Sequence, residues 1–209
     1  MRVTIRLFIL LALALGVFGQ YGDASAAEVV RTSGLTAITY VSGTDPTGCI
    51  YTSIFVQGIH WLYKNPPGPG EATSTVYLSI YQADYCTGQT VYIYTTREVP
   101  VGQEALVTDK KLGWTALNTT ITAFNLATQS NVEVALDLTW TATGPLVVDK
   151  IDYKDNTPHC HWMMRLKSPS REAEVSGTIT YGGTTMTLDS SWNAQIRSFK
   201  AGELTVGCE

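Results

Sequence analysis

The chain has 209 residues, of which 44% are hydrophobic, and this is enough apolar material for one globular domain or two small ones. Only 15% of the residues are charged, which excludes wholesale disorder. The formal net charge is −4, from 14 Lys and Arg against 18 Asp and Glu. Because nucleic-acid binding depends on clustered cations, we expect no nucleic-acid partner.

The N-terminus has the three-part layout of a secretory signal peptide. Two arginines precede an apolar run over residues 7–18, and a small-x-small cleavage site ends at Ala26. This run is shorter than the roughly 20 residues that a membrane-spanning helix needs. We therefore predict a signal peptide at 1–26 and a secreted domain at 27–209, extracellular or periplasmic, with no membrane span after cleavage.

Most of the chain after residue 27 has an apolar–polar period of two, which predicts strands rather than helices. The predicted strands are 35–41, 50–57, 74–82, 89–97, 105–109, 113–124, 131–141, 145–153, 161–167, 173–181, 184–189 and 203–207. Short helical turns are expected only near 104–106 and 191–196. The predicted fold class is all-β: an antiparallel β-sandwich or flattened barrel, tied by disulfides.

Two stretches are candidate breaks in this domain. A Pro- and Gly-rich loop at 65–70 cannot continue a strand ladder. The region 108–114 could join two halves of the chain. Alternation along strands does not specify their order, so one sandwich and two smaller ones both remain open.

Four cysteines lie after the predicted cleavage site. An even number in an exported chain indicates disulfides, and four cysteines allow three pairings. We favour Cys49–Cys86 and Cys160–Cys208, one bridge in each half of the chain. Cys49 and Cys86 both adjoin Thr-Gly turns beside strands, and Cys208 would tie down the last strand.

One resemblance concerns the second half of the chain. The segment 132–145, VEVALDLTWTATGP, and the segment 171–178, REAEVSGT, resemble a pattern found in uncharacterised secreted bacterial proteins. That family has no assigned activity. The resemblance therefore implies a secreted all-β protein and implies nothing about its chemistry.

Four tyrosines share one face of the predicted 74–97 hairpin. Its apolar residues point inward, which leaves Tyr77, Tyr81, Tyr92 and Tyr94 on the opposite face. Tyrosine combines flat apolar area with a hydroxyl group, which suits sugar rings or protein partners. We predict these four residues as a binding surface. The structural alternatives are cross-strand aromatic packing and cover by the loop at 65–70.

The triplet His159-Cys160-His161 is a candidate metal site. In a strand the two imidazoles share a face, about 7 Å apart, and could hold zinc or copper with an oxygen from Asp152 or Asp155. The alternative is a disulfide cysteine between two surface histidines. We predict no cofactor, with zinc as the alternative at this triplet.

Two further acidic patterns are weaker. Asp149, Asp152 and Asp155 recur at every third residue, which suggests calcium, but this spacing alternates between the two faces of a strand. Glu172 and Glu174 share a strand face about 7 Å apart, near the carboxylate separation of inverting glycosidases. Both patterns are more typical of solvated strand and loop residues.

The sequence contains no Gly-x-Ser-x-Gly elbow and no phosphate-binding glycine loop, so an enzyme is the less favoured class. Our first hypothesis is a secreted non-enzymatic binding or surface-interaction module that contacts glycan or protein through the tyrosine face or through loops. The alternatives are a metal-dependent or hydrolytic extracellular enzyme centred on His159 and His161, and a purely structural envelope protein.

Overall fold

A computed structural model describes residues 28–64, 71–157, 160–189 and 194–206. Within these ranges no helix is long and apolar enough to cross a membrane. The described residues form one short 3-10 helix, Gln103–Ala105, and twelve strands. The strands are β1 (Glu28–Thr44), β2 (Ile50–Lys64), β3 (Glu71–Asp84), β4 (Thr90–Tyr94), β5 (Val99–Val101), β6 (Leu106–Thr108), β7 (Trp114–Asn125), β8 (Ser130–Ala142), β9 (Val147–Thr157), β10 (Cys160–Tyr181), β11 (Thr184–Leu188) and β12 (Ala194–Val206). The all-β prediction is confirmed.

Eight of the strands close into a ring. All pairings are antiparallel, in the order β10-β12-β1-β2-β3-β4-β7-β8, and β8 pairs back onto β10. The join between β4 and β7 is narrow, with the residue pairs Ile93–Asn125 and Tyr94–Phe124. Beside this join, β5 pairs with β3 and β6 pairs with β7. The described strands therefore form a closed antiparallel ring.

The inside of the ring is filled by the apolar half of each alternating strand. On β8, Leu136, Leu138 and Trp140 are buried, while the residues between them face outward. The Trp140 indole nitrogen donates to the carbonyl oxygen of Ile38 at 3.1 Å, which satisfies its buried N–H. The period-two pattern in the sequence thus marks the core correctly.

Side chains close both ends of this core. At one end Leu106 of β6 packs over Gly58, where an added Cβ would lie 3.1 Å from the Leu106 side chain. At the other end the hydroxyl of Tyr181 donates to the Gln82 side-chain oxygen at 3.0 Å. Burial raises the pKa of Tyr181.

Strand β10 is longer than predicted. The sequence predicts separate strands at 161–167 and 173–181, but one strand runs through Pro169 without a break. The pairing with β12 skips Ser168 and Pro169, between the residue pairs Lys167–Lys200 and Ser170–Arg197. Proline lacks an N–H, and the Ser168 hydroxyl instead donates to the Ser198 carbonyl oxygen at 3.2 Å. A side-chain bond at this position compensates for the missing ladder bond.

The predicted helical turns have different outcomes. The turn near 104–106 is confirmed as the 3-10 helix Gln103–Ala105. The turn near 191–196 is wrong for residues 194–196, which begin β12, and residues 191–193 lie outside the described part of the chain. The short strand β5 was not predicted separately, because Pro100 interrupts an otherwise apolar triplet.

Part of the sheet continues beyond the ring. We call this part the sheet extension: it consists of β9 and of residues 160–170, 197–206, 28–34 and 60–64 from the neighbouring strands. Strand β9 lies on the same edge of β10 that β8 occupies further along. One side of the extension is continuous with the inner wall of the ring, and the other side is continuous with its outer surface.

The predicted bridge Cys49–Cys86 is confirmed, with its Cα atoms 5.3 Å apart. It joins the turn between β1 and β2 to the turn between β3 and β4. Cys208 lies outside the described residues, so the Cys160–Cys208 bridge remains a prediction. The predicted signal peptide at 1–26 and the loop at 65–70 also lie outside the described residues.

Candidate functional site: an aromatic outer face

The four predicted tyrosines lie on the outer surface of the ring, opposite the core. Their apolar neighbours Val76, Leu78, Ile80 and Ile93 are fully buried inside it. Tyr81 is directly opposite Tyr92 in the pairing of β3 with β4. Alternation along these strands is what places the rings together on one side.

Three more aromatic residues join this surface: Tyr51 and Phe55 on β2, and Phe124 on β7. We call the seven-ring surface the aromatic face. Its members are Tyr51, Phe55, Tyr77, Tyr81, Tyr92, Tyr94 and Phe124. Sequence reasoning missed the added three because it treated one hairpin alone. Tyr51 and Phe55 alternate with the buried Ile54 and Val56, so the signal for them was present in β2.

Five rings of the aromatic face form a continuous run across four strands. The centroid separations are 6.3 Å for Tyr51–Tyr81, 6.1 Å for Tyr81–Tyr92, 4.7 Å for Tyr92–Tyr94 and 5.9 Å for Tyr94–Phe124. Most of these contacts are tilted or edge-to-face, which the ring quadrupoles favour. The Tyr94–Phe124 contact lies over the narrow join between β4 and β7.

The aromatic face is partly open to solvent. Tyr81, at its centre, has 37% of its surface exposed, while its neighbours are half-buried against one another. Phe55 and Tyr77 form a second contact at 5.7 Å beside the main run. Cross-strand packing, which was the structural alternative, therefore covers part of the surface of each ring. The uncovered part is accessible to a binding partner.

Tyr40 on β1 extends this surface, because it lies opposite Phe55 and is 42% exposed. The Ser53 hydroxyl donates to the Tyr40 phenolic oxygen at 3.4 Å. This bond is the main reason why the pKa of Tyr40 is lowered. The hydroxyl is thus already oriented at the rim of the aromatic face.

The candidate metal site is only partly described. His161 is exposed on β10, and its Nδ1 lies 3.0 Å from the Asn156 side-chain oxygen. His159 lies outside the described residues. Across residues 28–64, 71–157, 160–189 and 194–206, three or more His, Cys, Asp or Glu side chains do not come together as a metal-ligand group.

The three aspartates of β9 do not converge. Asp152 lies 3.6 Å from Arg165 on one side of the sheet extension, and Asp149 lies 3.9 Å from the buried Arg197 on the other. Asp155 shares the side of Asp149 but is six residues away along the strand, about 20 Å. This arrangement suits ion pairing better than coordination of one calcium ion.

The remaining candidate residues are Glu172, Glu174 and His60, and their surroundings fit structural roles better than catalytic ones. Glu172 and Glu174 are exposed on the outer side of β10, and the N–H groups of residues 143 and 144 donate to the Glu172 carbonyl oxygen. The Nδ1 of His60 lies 2.8 Å from the Ser74 hydroxyl. Because the Ser74 side chain is buried, with 2% exposure, this hydroxyl is closed to an acyl substrate.

Comparison with known proteins adds little to this geometry. No family model matches the chain, and no curated protein matches it. One solved structure is similar, a protein from Nitrosomonas europaea provisionally described as AttH, at 14% identity and a TM-score of 0.29. The match covers 92% of this chain and 54% of that one, so the chain spans about half of its length. A similarity this low supports no conclusion about fold or function.

Proposed function

We propose that the protein is a secreted, non-enzymatic binding module whose aromatic face contacts a glycan. The observation that carries the proposal is the continuous run of rings from Tyr51 to Phe124 on the outside of the closed ring. A pyranose ring has apolar C–H faces and hydroxyl edges, and tyrosine matches both with its flat ring and its phenol group. Most outward faces of one-sided sheets carry polar residues instead.

A protein is the other kind of partner that such a surface could bind. The binding test below distinguishes a protein partner from a glycan. Tyrosine-rich patches also occur in protein interfaces. The glycan is favoured because the rings form a narrow run over four strands, with Tyr81 as their most open member. A protein interface of standard size involves about 20–30 residues on each side, whereas the aromatic face has seven members.

The test is binding of the exported protein to immobilised neutral glycans, with Tyr81→Ala as the variant. Loss of one stacking ring should weaken glycan binding by about twofold to tenfold. The matched control is Tyr85→Ala, because Tyr85 is 69% exposed on the turn beside Cys86 and lies outside the aromatic face. The control should bind as the wild type does.

Two results would overturn the glycan proposal. One is the absence of binding to every neutral glycan, together with capture of a protein partner that Tyr81→Ala loses. The other is equal weakening by Tyr81→Ala and Tyr85→Ala. Thermal unfolding of both variants shows whether a loss of binding reflects a loss of fold.

Export is part of the same proposal. It is supported by the charged, apolar and small-residue segments of residues 1–26 and by the disulfide between Cys49 and Cys86, a bond typical of oxidising compartments. The intact mass of the protein recovered outside the cytoplasm should correspond to a chain that begins at Ala27. A mass that retains Met1 would contradict cleavage.

A further inference from the structure

Half of the chain's cations lie on one side of the sheet extension. We call this side the basic face. Its members are Arg31, Lys64, Lys150, Lys154, Arg165, Lys167 and Lys200, seven of the 14 Lys and Arg in the chain. All seven are exposed, and they come from β1 and β2 and from β9, β10 and β12, two groups of strands that are far apart in sequence.

The cations are arranged in rows across the strands. Lys150, Lys167 and Lys200 lie directly opposite one another on β9, β10 and β12, about 5 Å apart from strand to strand. The next row, about 7 Å further along, contains Arg165, Arg31 and Lys64. Among the described strand residues of this side, Asp152 is the one acid, and it pairs with Arg165.

This arrangement is unfavourable for the free protein. Like charges directly opposite one another destabilise a sheet, and the row of three lysines contains two such pairs. The chain as a whole has a net charge of −4, so the clustering of cations does not follow from composition. A bound polyanion would relieve the repulsion.

The opposite side of the extension has a different composition. It carries Asp149, Asp155 and Glu203, and its rings include Trp61 and Phe199, with centroids 4.8 Å apart. The aromatic rings of the extension, Trp61, Tyr63, Tyr153, Trp162 and Phe199, all belong to that side. The basic face therefore offers charge without aromatic stacking.

We propose that the basic face binds a linear acidic polysaccharide, one that carries carboxylate or sulfate groups along its length. Single-stranded nucleic acid is less suitable, because its binding depends on base stacking onto aromatic rings. A flat bilayer or a stiff duplex is less suitable because neighbouring strands rotate by about 20–25°, so the rows do not lie in one plane. A flexible sugar chain can follow this twist.

The test is binding of the exported protein to polygalacturonate and to heparin at low and at moderate salt. Binding should weaken steeply as salt rises, since screening acts on exposed charges. Lys167→Glu, at the centre of the row, should weaken binding by about fivefold or more. Arg97→Glu is the matched control, because Arg97 is an exposed cation outside the extension and the change in net charge is the same.

A second readout separates recognition from folding. Lys167→Glu places an acid between Lys150 and Lys200, so its melting temperature should stay the same or rise while its affinity falls. Three results would overturn the proposal: no binding to either polysaccharide, equal weakening by Lys167→Glu and Arg97→Glu, or tighter binding to duplex DNA or phosphatidylglycerol vesicles. The neutral-glycan test uses a variant of Tyr81 on the aromatic face, and the acidic-polysaccharide test uses a variant of Lys167 on the basic face. Either proposal can therefore be contradicted while the other stands.

Discussion

At the scale of single residues, Gly177 shows a requirement that only neighbouring strands impose. It lies on β10 between β8 and β11 with a φ of +129°, a region that side chains rarely adopt. A Cβ atom at this position would lie 2.0 Å from the Asp137 carbonyl oxygen. The position therefore tolerates only glycine without rearrangement of the β8–β10 pair.

We expect Gly177→Ala to lower the free energy of unfolding by about 2 kcal/mol or more, because backbone strain and a steric clash act together. Urea unfolding followed by tryptophan fluorescence measures the change. Gly43→Ala is the matched control, since nothing lies within 4 Å of the added atom on β1. Equal stability of the two variants would contradict this account of Gly177.

Gly34 is the centre of another contact that the sequence did not reveal. Trp61 and Phe199 lie opposite Gly34 on the two neighbouring strands, and their rings meet over it with centroids 4.8 Å apart. The two aromatic residues are far apart in sequence. The four tyrosines were predictable because they belong to consecutive strands, whereas this contact depends on β1 pairing with both β2 and β12.

At the scale of elements, two turns hold the disulfide-linked end of the sheet. Asp45 accepts a hydrogen bond from the Ile50 N–H at 2.8 Å, and Asp84 accepts bonds from the N–H groups of Cys86 and Thr87 at 2.9 and 3.0 Å. Hydrogen bonds from Thr47 and Thr87 are the first causes of a lowered pKa at Asp45 and Asp84. The bond from the Cys86 N–H to Asp84, two residues earlier, makes an Asx turn, which is a local feature that sequence reasoning can recognise.

The lowered pKa values predict acid sensitivity. Because the folded-state pKa of Asp84 lies below the ordinary value of about 3.9, its ionised form stabilises the fold above that pH. This stabilisation is lost as the pH falls through the lowered pKa. We expect the free energy of unfolding to fall less steeply with acid, from about pH 5 to about pH 2, in Asp84→Asn than in the wild type.

Urea unfolding at several pH values measures this slope. Identical slopes for Asp84→Asn and the wild type would show that the turn carboxylate is not protonated over this range.

The disulfide between the two turns provides another prediction. Cys49 and Cys86 are 37 residues apart, so the bridge should stabilise the fold by about 4 kcal/mol in the chain-entropy model. We expect the double variant Cys49→Ser/Cys86→Ser to lose most of this amount in urea unfolding. A loss below about 1 kcal/mol would mean that the β2–β3 pairing already restricts the unfolded chain.

At the scale of the whole molecule, the second predicted disulfide, Cys160–Cys208, would link two neighbouring strands of the sheet extension. Cys160 begins β10 and Cys208 follows β12, which are neighbouring strands in the extension. If both bridges form, no cysteine of the denatured protein should react with an alkylating reagent before reduction, and four should react afterwards. Intact mass measures the number of added groups. Alkylation of Cys160 without reductant would exclude the second bridge.

The charge pattern is also a property of the whole molecule. From the sequence alone, the net charge of −4 predicts no nucleic-acid partner, and nothing in the sequence shows which cations share a face. Strand pairing brings Lys150, Lys167 and Lys200 into one row. Strand order determines which cations become neighbours, and the alternating pattern within each strand does not specify that order.

The sequence by itself determined the properties that depend on near neighbours. Period-two alternation was sufficient for the all-β class, for most strands and for the inward and outward residues, while Thr-Gly turns favoured the Cys49–Cys86 bridge among three possible pairings. Only the tertiary structure decided the closed ring, the continuous strand through Pro169, the seven-ring aromatic face and the basic face. These features arise from pairing between distant segments, and pairing energy depends on the register and order of strands rather than on the pattern within any one of them.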